Sequence, residues 1–488
     1  MGIDWSFQQP SLVGIVSVIF LITSISIAVI IVYEKRSPFK TAAWILVLVL
    51  LPILGLIFYL FFGQEYRKQK LYSRRGIKAL GRFRSITTRQ LRSFNKQELQ
   101  LSGGVENFKK IIGLLLNNSQ AILTTGNSVK ILNNGKKTLQ AILGAIAKAR
   151  HHIHLEYYII DNDEVGCALK ALLIQKRSEG VEVRVIVDDV GSWSLSNGYI
   201  NELKAAGVKF VSFMEVRYPR LTWKVNYRNH RKIVVVDGDI GFTGGINMAD
   251  RYIKGNPKLG EWRDTHLQLE GDAVAALQTV FAADWYFMTG ENLSGDKFFK
   301  PLSDLPGVPV QISASGPDSD WDSIGQAYFA AIAGARREVY IVTPYLMPPP
   351  SIVTALKTAA LGGIDVRIII PERSDAKIPK WCSFSYIEEL LEAGVRIFLY
   401  QKGFIHTKLL LVDGFFASLG SANLDFRSLE TNFEVNAFIY HEKVASELLK
   451  YFRVDLRNSR EVYLNQWRKR SWYMKTRESF AYLVSPLY

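Results

Sequence analysis

Cysteine is nearly absent: the 488 residues hold only Cys167 and Cys382. That excludes a disulfide framework, and no cysteine or histidine spacing suited to structural zinc occurs. The one local histidine cluster, "HHIH" at 151–154, sits where a helix enters a strand and reads as structural. No metal and no cofactor is therefore expected. Charge is missing from two long runs, 12–33 and 41–62. About 20 apolar residues suffice to cross a hydrocarbon core, and both runs exceed that. A cleaved leader fits the first run poorly, since no basic segment precedes it and a second run follows at once. The pair is expected to form a transmembrane hairpin joined by "EKRSPFK".

Acidic residues are in deficit, 45 against 60 basic ones, for a net charge of +15. Nucleic acid and anionic membrane surfaces are the usual partners of such a balance. Beside a membrane anchor, the basic excess reads first as attraction to anionic lipid. The hairpin loop carries Lys35, Arg36 and Lys40. The stretch after the second run carries Arg67, Lys68, Lys70, Arg74, Arg75, Lys78, Arg82 and Arg84. The larger group follows the second run, so the positive-inside rule favours a cytoplasmic body.

Beyond about residue 118 the chain is a duplication. "AILGAIAKARHHIHLEYYI" returns as "AYFAAIAGARREVYIVTPYL", and "VEVRVIVDD" as "IDVRIIIPE". "INELKAAGVKFVSF" returns as "IEELLEAGVRIFLY", each a helix, a glycine stop and a strand. "NHRKIVVVDG" and "IHTKLLLVDG" follow, and then "GFTGGIN" and "FASLGSAN". Helices alternating with apolar, β-branched strands predict helix layers on a sheet in each half. A twofold-related pair of such units would bring equivalent segments to one interface.

One constant offset relates His230, Lys232, Asp237 and Asn247 to His406, Lys408, Asp413 and Asn423. On a strand, a histidine and a lysine two apart share a face. Asp-Gly has the sequence of a tight hairpin turn, so each aspartate has a structural reading beside a catalytic one. Packing does not require His, Lys and Asn at matching places in both halves. The set suits phosphoryl transfer: one imidazole attacks phosphorus, and another donates and later accepts a proton. Ammonium and amide groups hold the charge on the remaining oxygens. Each histidine also needs a carboxylate to fix its tautomer. Candidates are Asp264, in "EWRDTHLQLEG", and Glu434, in "TNFEVNAFIY", each at the head of a strand-like run.

The doubled His-x-Lys-x4-Asp motif resembles that of the phospholipase D superfamily, and both copies are intact. "VDDVGS", "FTGGIN", "SGPD", "TPYLMP", "GSANLDFRS", "NFE", "SPLY" and the hairpin landmarks of "KRSPFKTAAWILVLVLLPILGLIFYLFFG" are similar to bacterial cardiolipin synthases. The resemblance implies an α/β fold: two tandem phospholipase D-like α/β/α units related by pseudo-twofold symmetry, preceded by a transmembrane α-helical hairpin. The expected divisions are 1–65 (hairpin), 66–118 (basic juxtamembrane linker helices), 119–300 (first repeat) and 301–488 (second repeat).

The resemblance also implies a transphosphatidylation in which two phosphatidylglycerols give cardiolipin and glycerol. His230 would be the nucleophile and His406 the acid and base, although the symmetry leaves that order open. It further implies a multi-pass protein of the bacterial cytoplasmic membrane, with phosphatidylglycerol and other anionic lipids as partners. No nucleic-acid partner is expected, and a homo-oligomer is left open. Arg217, Arg220, Trp223, Lys224 and Arg228 mix basic and aromatic character ahead of the first motif, as suits a bilayer interface. "AKIPKWCSFSY" offers a matching lip in the second half. A phospholipase D hydrolase, a membrane-tethered nuclease and a catalytically silent scaffold are the competing readings.

Overall fold

The strand called for by "IVVV" forms at Ile233–Val236, every residue of it buried, and the rest of the first repeat is arranged around it. The computed structural model describes residues 21–23, 25–29, 32–33, 38–51, 54–56, 59, 81–96, 101, 103–216, 227–300 and 306–487. Much of the expected hairpin, residues 34–37 of its loop and most of the basic run after it lie outside the described residues. Within the hairpin region a helix, Pro38–Leu50, is formed. Leu48 and Tyr59 pack there with Ile27, Trp44 and Leu56. Among the described residues no helix is long and apolar enough to cross a membrane. Two compact units are distinguished, and the one made of Lys70–Val216 and Tyr227–Tyr488 holds both repeats.

The first repeat supplies β1 (Asn127–Asn133), β2 (His152–Tyr157), β3 (Glu182–Asp188), β4 (Lys209–Phe213), β5 (Ile233–Val236), β6 (Ile240–Gly244), β7 (Glu261–Arg263) and β8 (Thr265–Gly271). The second supplies β9 (Val310–Ser315), β10 (Glu338–Val342), β11 (Leu346–Met347), β12 (Asp365–Pro371), β13 (Arg396–Tyr400), β14 (Gly403–Ile405), β15 (Leu409–Val412), β16 (Phe416–Gly420), β17 (Leu424–Asp425), β18 (Glu434–Tyr440) and β19 (Ser459–Val462).

The first sheet runs β4-β3-β2-β5-β6-β8-β1 and the second β13-β12-β10-β15-β16-β18-β9, with β19 added at its edge. These are the same order. In both, three parallel strands meet an antiparallel set at the strand formed by the apolar run of the histidine motif. The duplication read from the sequence is thus a duplication of topology. The sheets come together along β6 and β8 of the first repeat and β16 and β18 of the second.

One helix of the stretch expected as linker belongs to a core. Helix Lys109–Asn118 buries Ile111, Ile112, Leu115 and Leu116 in the core of the second repeat, with Ile324, Phe416 and Phe438. Its apolar residues recur at helical spacing, and that face is covered by the half of the chain made last.

Asp237 and Asp413 belong to the fold. Asp237 and Gly238 have φ of +54° and +70°, and Asp413 and Gly414 +55° and +67°. Two successive positive φ values are what a two-residue hairpin turn needs, and Asp tolerates that region better than most residues. The Asp237 carboxylate accepts the backbone N–H groups of Arg150, His151 and His152 at 2.8–2.9 Å. Asp413 accepts those of Arg336, Arg337 and Glu338 at 2.7–3.2 Å. Burial alone would raise the Asp237 carboxyl, but the three donors hold it below the usual range. Each aspartate ties the far end of the strand that follows the histidine and lysine to the start of its neighbour.

Asp413→Ala should therefore lower the apparent melting temperature, since it removes the acceptor of three backbone N–H groups, at about 0.5–1.5 kcal/mol for each hydrogen bond, and adds strain at positive φ. Asp413→Asn, which keeps an acceptor and the left-handed tolerance, should cost less. Thermal unfolding of the purified variants checks the order; equal melting temperatures for parent and Ala variant would refute the role.

Candidate active site

Two equivalent parallel pairings carry the histidines across the interface. Ile405 pairs with Arg263 where β14 meets β7, and Asn229 pairs with Phe433. The next backbone N–H in each case belongs to a histidine. His406 donates to the Arg263 carbonyl at 2.7 Å, and His230 to the Phe433 carbonyl at 2.9 Å. Each motif is thereby held by the opposite repeat.

The carboxylates are exchanged in the same way. Nδ1 of His230 lies 3.1 Å from Oε1 of Glu434, and Nδ1 of His406 lies 2.7 Å from Oδ2 of Asp264. Sequence order would pair Asp264 with the preceding His230 and Glu434 with His406. The structure swaps them, because the residue after each cross-repeat pairing points its carboxylate at the other half's imidazole. With Nδ1 occupied, Nε2 is the free nitrogen of each ring.

The lysines follow the pseudo-symmetry. The Lys232 ammonium donates to the His230 carbonyl at 2.7 Å, and that of Lys408 to the His406 carbonyl. Lys408 Nζ also lies 3.0 Å from Nδ1 of His406. Both ammonium groups are buried and act on both imidazoles. Burial is the main cause of every shift here, since it disfavours charge. It brings Lys232 down to about 7 and Lys408 to about 8. It lowers His230 against the opposing pull of Glu434, and it lowers His406 well below the ordinary range with help from the two lysines.

The carboxylates differ. Burial lifts Asp264 to about 6. Glu434 feels the same burial but ends below its usual value, held by His230, Lys232 and the Ser421 hydroxyl that donates to it. His230 thus faces the more firmly ionised partner.

Asn247 and Asn423 are buried. Asn247 donates to the Tyr252 hydroxyl at 3.0 Å and accepts from the Ile159 N–H at 3.3 Å. Asn423 donates to Asp425 at 3.1 Å. Asp237 and Asp413 are not brought to the histidines; their carboxylates are spent on the turns. Arg217, Arg220, Trp223 and Lys224 lie outside the described residues. Arg228 is not on an exposed lip: it is 4% exposed, with a guanidinium nitrogen 3.3 Å from the buried Asp188 carboxylate. In "HHIH", His152 and His154 are buried against Phe298 and Phe281, as packing residues.

Several residues of the site were not legible. Tyr158 lies with its ring centroid 4.1 Å from that of His230, and Tyr252, Trp262 and Phe404 surround His406 at 5.8–6.0 Å. Arg263 reaches from the first repeat to Asp455 of the second at 2.9 Å. Only the position of Ser421, inside "GSAN" beside Asn423, gave any signal.

Asp455→Ala should leave the Arg263 guanidinium buried without its counter-ion, a loss of about 3–5 kcal/mol. A melting curve unchanged from the parent would show that the pair does not hold the halves together.

The comparisons with known proteins agree with this geometry. The sequence profile described as "Cardiolipin synthase, PLD-like domain" matches 142–285 and 328–456, and one described as "Phospholipase D-nuclease N-terminal" matches 15–64. The cardiolipin synthase of Halalkalibacterium halodurans is 43% identical over 99% of this chain and 95% of its own. The major cardiolipin synthase ClsA of Bacillus subtilis is 39% identical over 98% and 100%. The crystal structure of phosphatidylserine synthase from Haemophilus influenzae superposes with a TM-score of 0.60 at 14% identity, over 78% of this chain and 100% of that one, a likeness of fold. The chain belongs to the cardiolipin synthase family, whose members carry phospholipase D-like domains.

Proposed function

We propose that the protein joins two phosphatidylglycerol molecules into cardiolipin and glycerol through a phosphatidyl-histidine. One observation carries the reading: two histidines, each bound through Nδ1 to a carboxylate of the opposite repeat, share a buried site with two lysines. Identity of 43% and 39% to two cardiolipin synthases over nearly the full chain supports the lipid class.

Nε2 of His230 attacks the phosphorus of the first lipid, and the bond from phosphorus to the glycerol headgroup breaks. His406 gives its proton to the departing glycerol oxygen. The terminal hydroxyl of the second phosphatidylglycerol then loses its proton to His406 and attacks phosphorus, and the phosphorus–nitrogen bond breaks. His230 is the better nucleophile because phosphorylation makes its ring cationic and Glu434 is the firmer anion. Burial and two ammonium groups disfavour the imidazolium of His406. A phosphodiester anion reverses that field, so protonation of His406 is coupled to lipid binding. Lys232, Lys408, Asn247 and Asn423 hold the non-bridging oxygens. The uncharged runs 12–33 and 41–62 serve as a membrane-crossing hairpin that keeps the catalytic body at the cytoplasmic face.

Purified full-length protein given labelled phosphatidylglycerol in mixed micelles should release cardiolipin and glycerol. Phosphatidic acid as the main product would assign the hydrolase reading instead. His406→Ala should retain labelled lipid on the protein while His230→Ala takes up none; the reverse pattern would exchange their roles.

The lysines set a pH dependence. An ammonium with a lowered pKa is charged only below it, so kcat/KM should fall as pH rises through about 7 to 8. It reports the free enzyme. Bound phosphodiester restores both ammonium groups, so kcat should fall only at higher pH. A kcat/KM profile flat to about pH 9 would contradict the electrostatic role.

A further inference from the structure

The C-terminal helix, Trp472–Val484, turns its apolar stripe toward water. Trp472, Phe480 and Leu483 are 77%, 69% and 72% exposed, with Tyr473 beside them at 63%. With Thr476 these positions recur at the helical period, so they form one continuous outward face. The inward face is small and polar: Ala481 and Glu478 are buried, and Glu478 is paired with Arg470 at 2.7 Å. Amphipathic helices of globular domains do the opposite.

The stripe is flanked by cations. Arg477 stacks over Trp381 at 4.4 Å and over Tyr473 at 5.8 Å. Lys469, Lys475 and Lys377 form no salt bridge among the described residues, whereas Arg468 is committed to Glu388 and Glu392. Tryptophan and tyrosine interleaved with lysine and arginine match the headgroup region of an anionic bilayer in polarity and in charge.

The helix is packed on one whose preceding loop lies near the histidine site. It packs on helix Lys377–Ser385, where the Cys382 thiol donates to the Ala481 carbonyl at 3.1 Å and the hydroxyls of Tyr386 and Ser485 are 3.0 Å apart. The loop before Lys377 carries Asp375, an exposed carboxylate that the Tyr345 hydroxyl reaches at 2.8 Å and whose charge acts on His406 and Lys408. Tyr345 also packs against the cluster of Tyr252, Trp262 and Phe404 around His406, so a surface laid on this helix pair lies on the His406 side of the site.

We infer that helix Trp472–Val484, with helix Lys377–Ser385, is an interfacial docking surface for an anionic lipid bilayer, separate from the N-terminal runs. Its biological sense rests on the lipid-transferring role proposed above, but its test needs no turnover. Full-length protein carrying Phe480→Cys in a Cys167→Ser background is labelled with an environment-sensitive fluorophore and reconstituted into vesicles. Leu483→Cys serves as a second reporter and Lys204→Cys as the comparison.

The inference expects blue-shifted emission at 480 and 483 in phosphatidylglycerol-containing vesicles. Doxyl-lipid quenching there should exceed that at 204 by about twofold or more, as suits a helix lying at headgroup depth. The effect should be weaker in phosphatidylcholine alone. Water-like emission at both positions overturns it. So does a blue shift that doxyl lipid does not quench, which would place a second copy of the chain on the stripe, or equal quenching at 204, which would mean non-specific adsorption. Lipid-quenched reporters on a protein that forms no cardiolipin would leave this surface standing and remove the proposed reaction.

Discussion

The exchange of carboxylates between the repeats is the constraint on which the rest depends. His230 is oriented by Glu434 and His406 by Asp264, and each imidazole segment is paired along its backbone with the strand that bears its partner's carboxylate. Neither half contains a complete histidine–carboxylate couple. A shift of one repeat against the other would break both couples together, because the same register sets them. The buried ion pair of Arg263 with Asp455 reinforces that register from one side. On the other side, Arg231 reaches Asp284 and the Ser315 carbonyl. The symmetry of the fold is thus a means of closing one site.

Symmetry of structure is not carried through to electrostatics. The two histidines receive equivalent hydrogen bonds, yet one carboxylate is held ionised by its neighbours while the other is lifted by burial. The aromatic surroundings differ as well. Tyr158 lies close to His230, while Tyr252, Trp262 and Phe404 form a looser ring around His406. Duplication supplies two of everything, and local burial then divides the labour.

The duplication, the two sheets and the histidine and lysine sets could be read from the chain because spacing encodes them. A constant offset survives divergence, although His230 and Lys232 precede strand Ile233–Val236 and do not lie on it, as His406 and Lys408 precede Leu409–Val412. The same spacing carried a catalytic reading of Asp237 and Asp413, whose carboxylates accept backbone N–H groups at the turns. Their turn chemistry, also visible in Asp-Gly, is what the backbone uses. The crossed carboxylates could not be read, since no local pattern tells a strand-end acid which half of the molecule it will face. The burial of Arg228 was hidden for a related reason: its partner, Asp188, lies on a strand formed well before it in sequence. Tyr158 and Trp262 are placed by tertiary packing alone, so nothing in their neighbourhood announced them.

Helix Lys109–Asn118 precedes both repeats, yet its apolar face is covered by the second. Asn127, at the start of β1, likewise donates to the Val308 carbonyl. A chain emerging from the ribosome therefore carries a sticky amphipathic segment that finds no lasting cover until the final third has been translated. The first repeat can assemble its own sheet meanwhile, but the molecule closes only when late strands return to an early helix. Such long-range closure is slow and leaves apolar surface in view. For this protein, biogenesis is a matter of shielding one helix for the time that several hundred residues take to arrive.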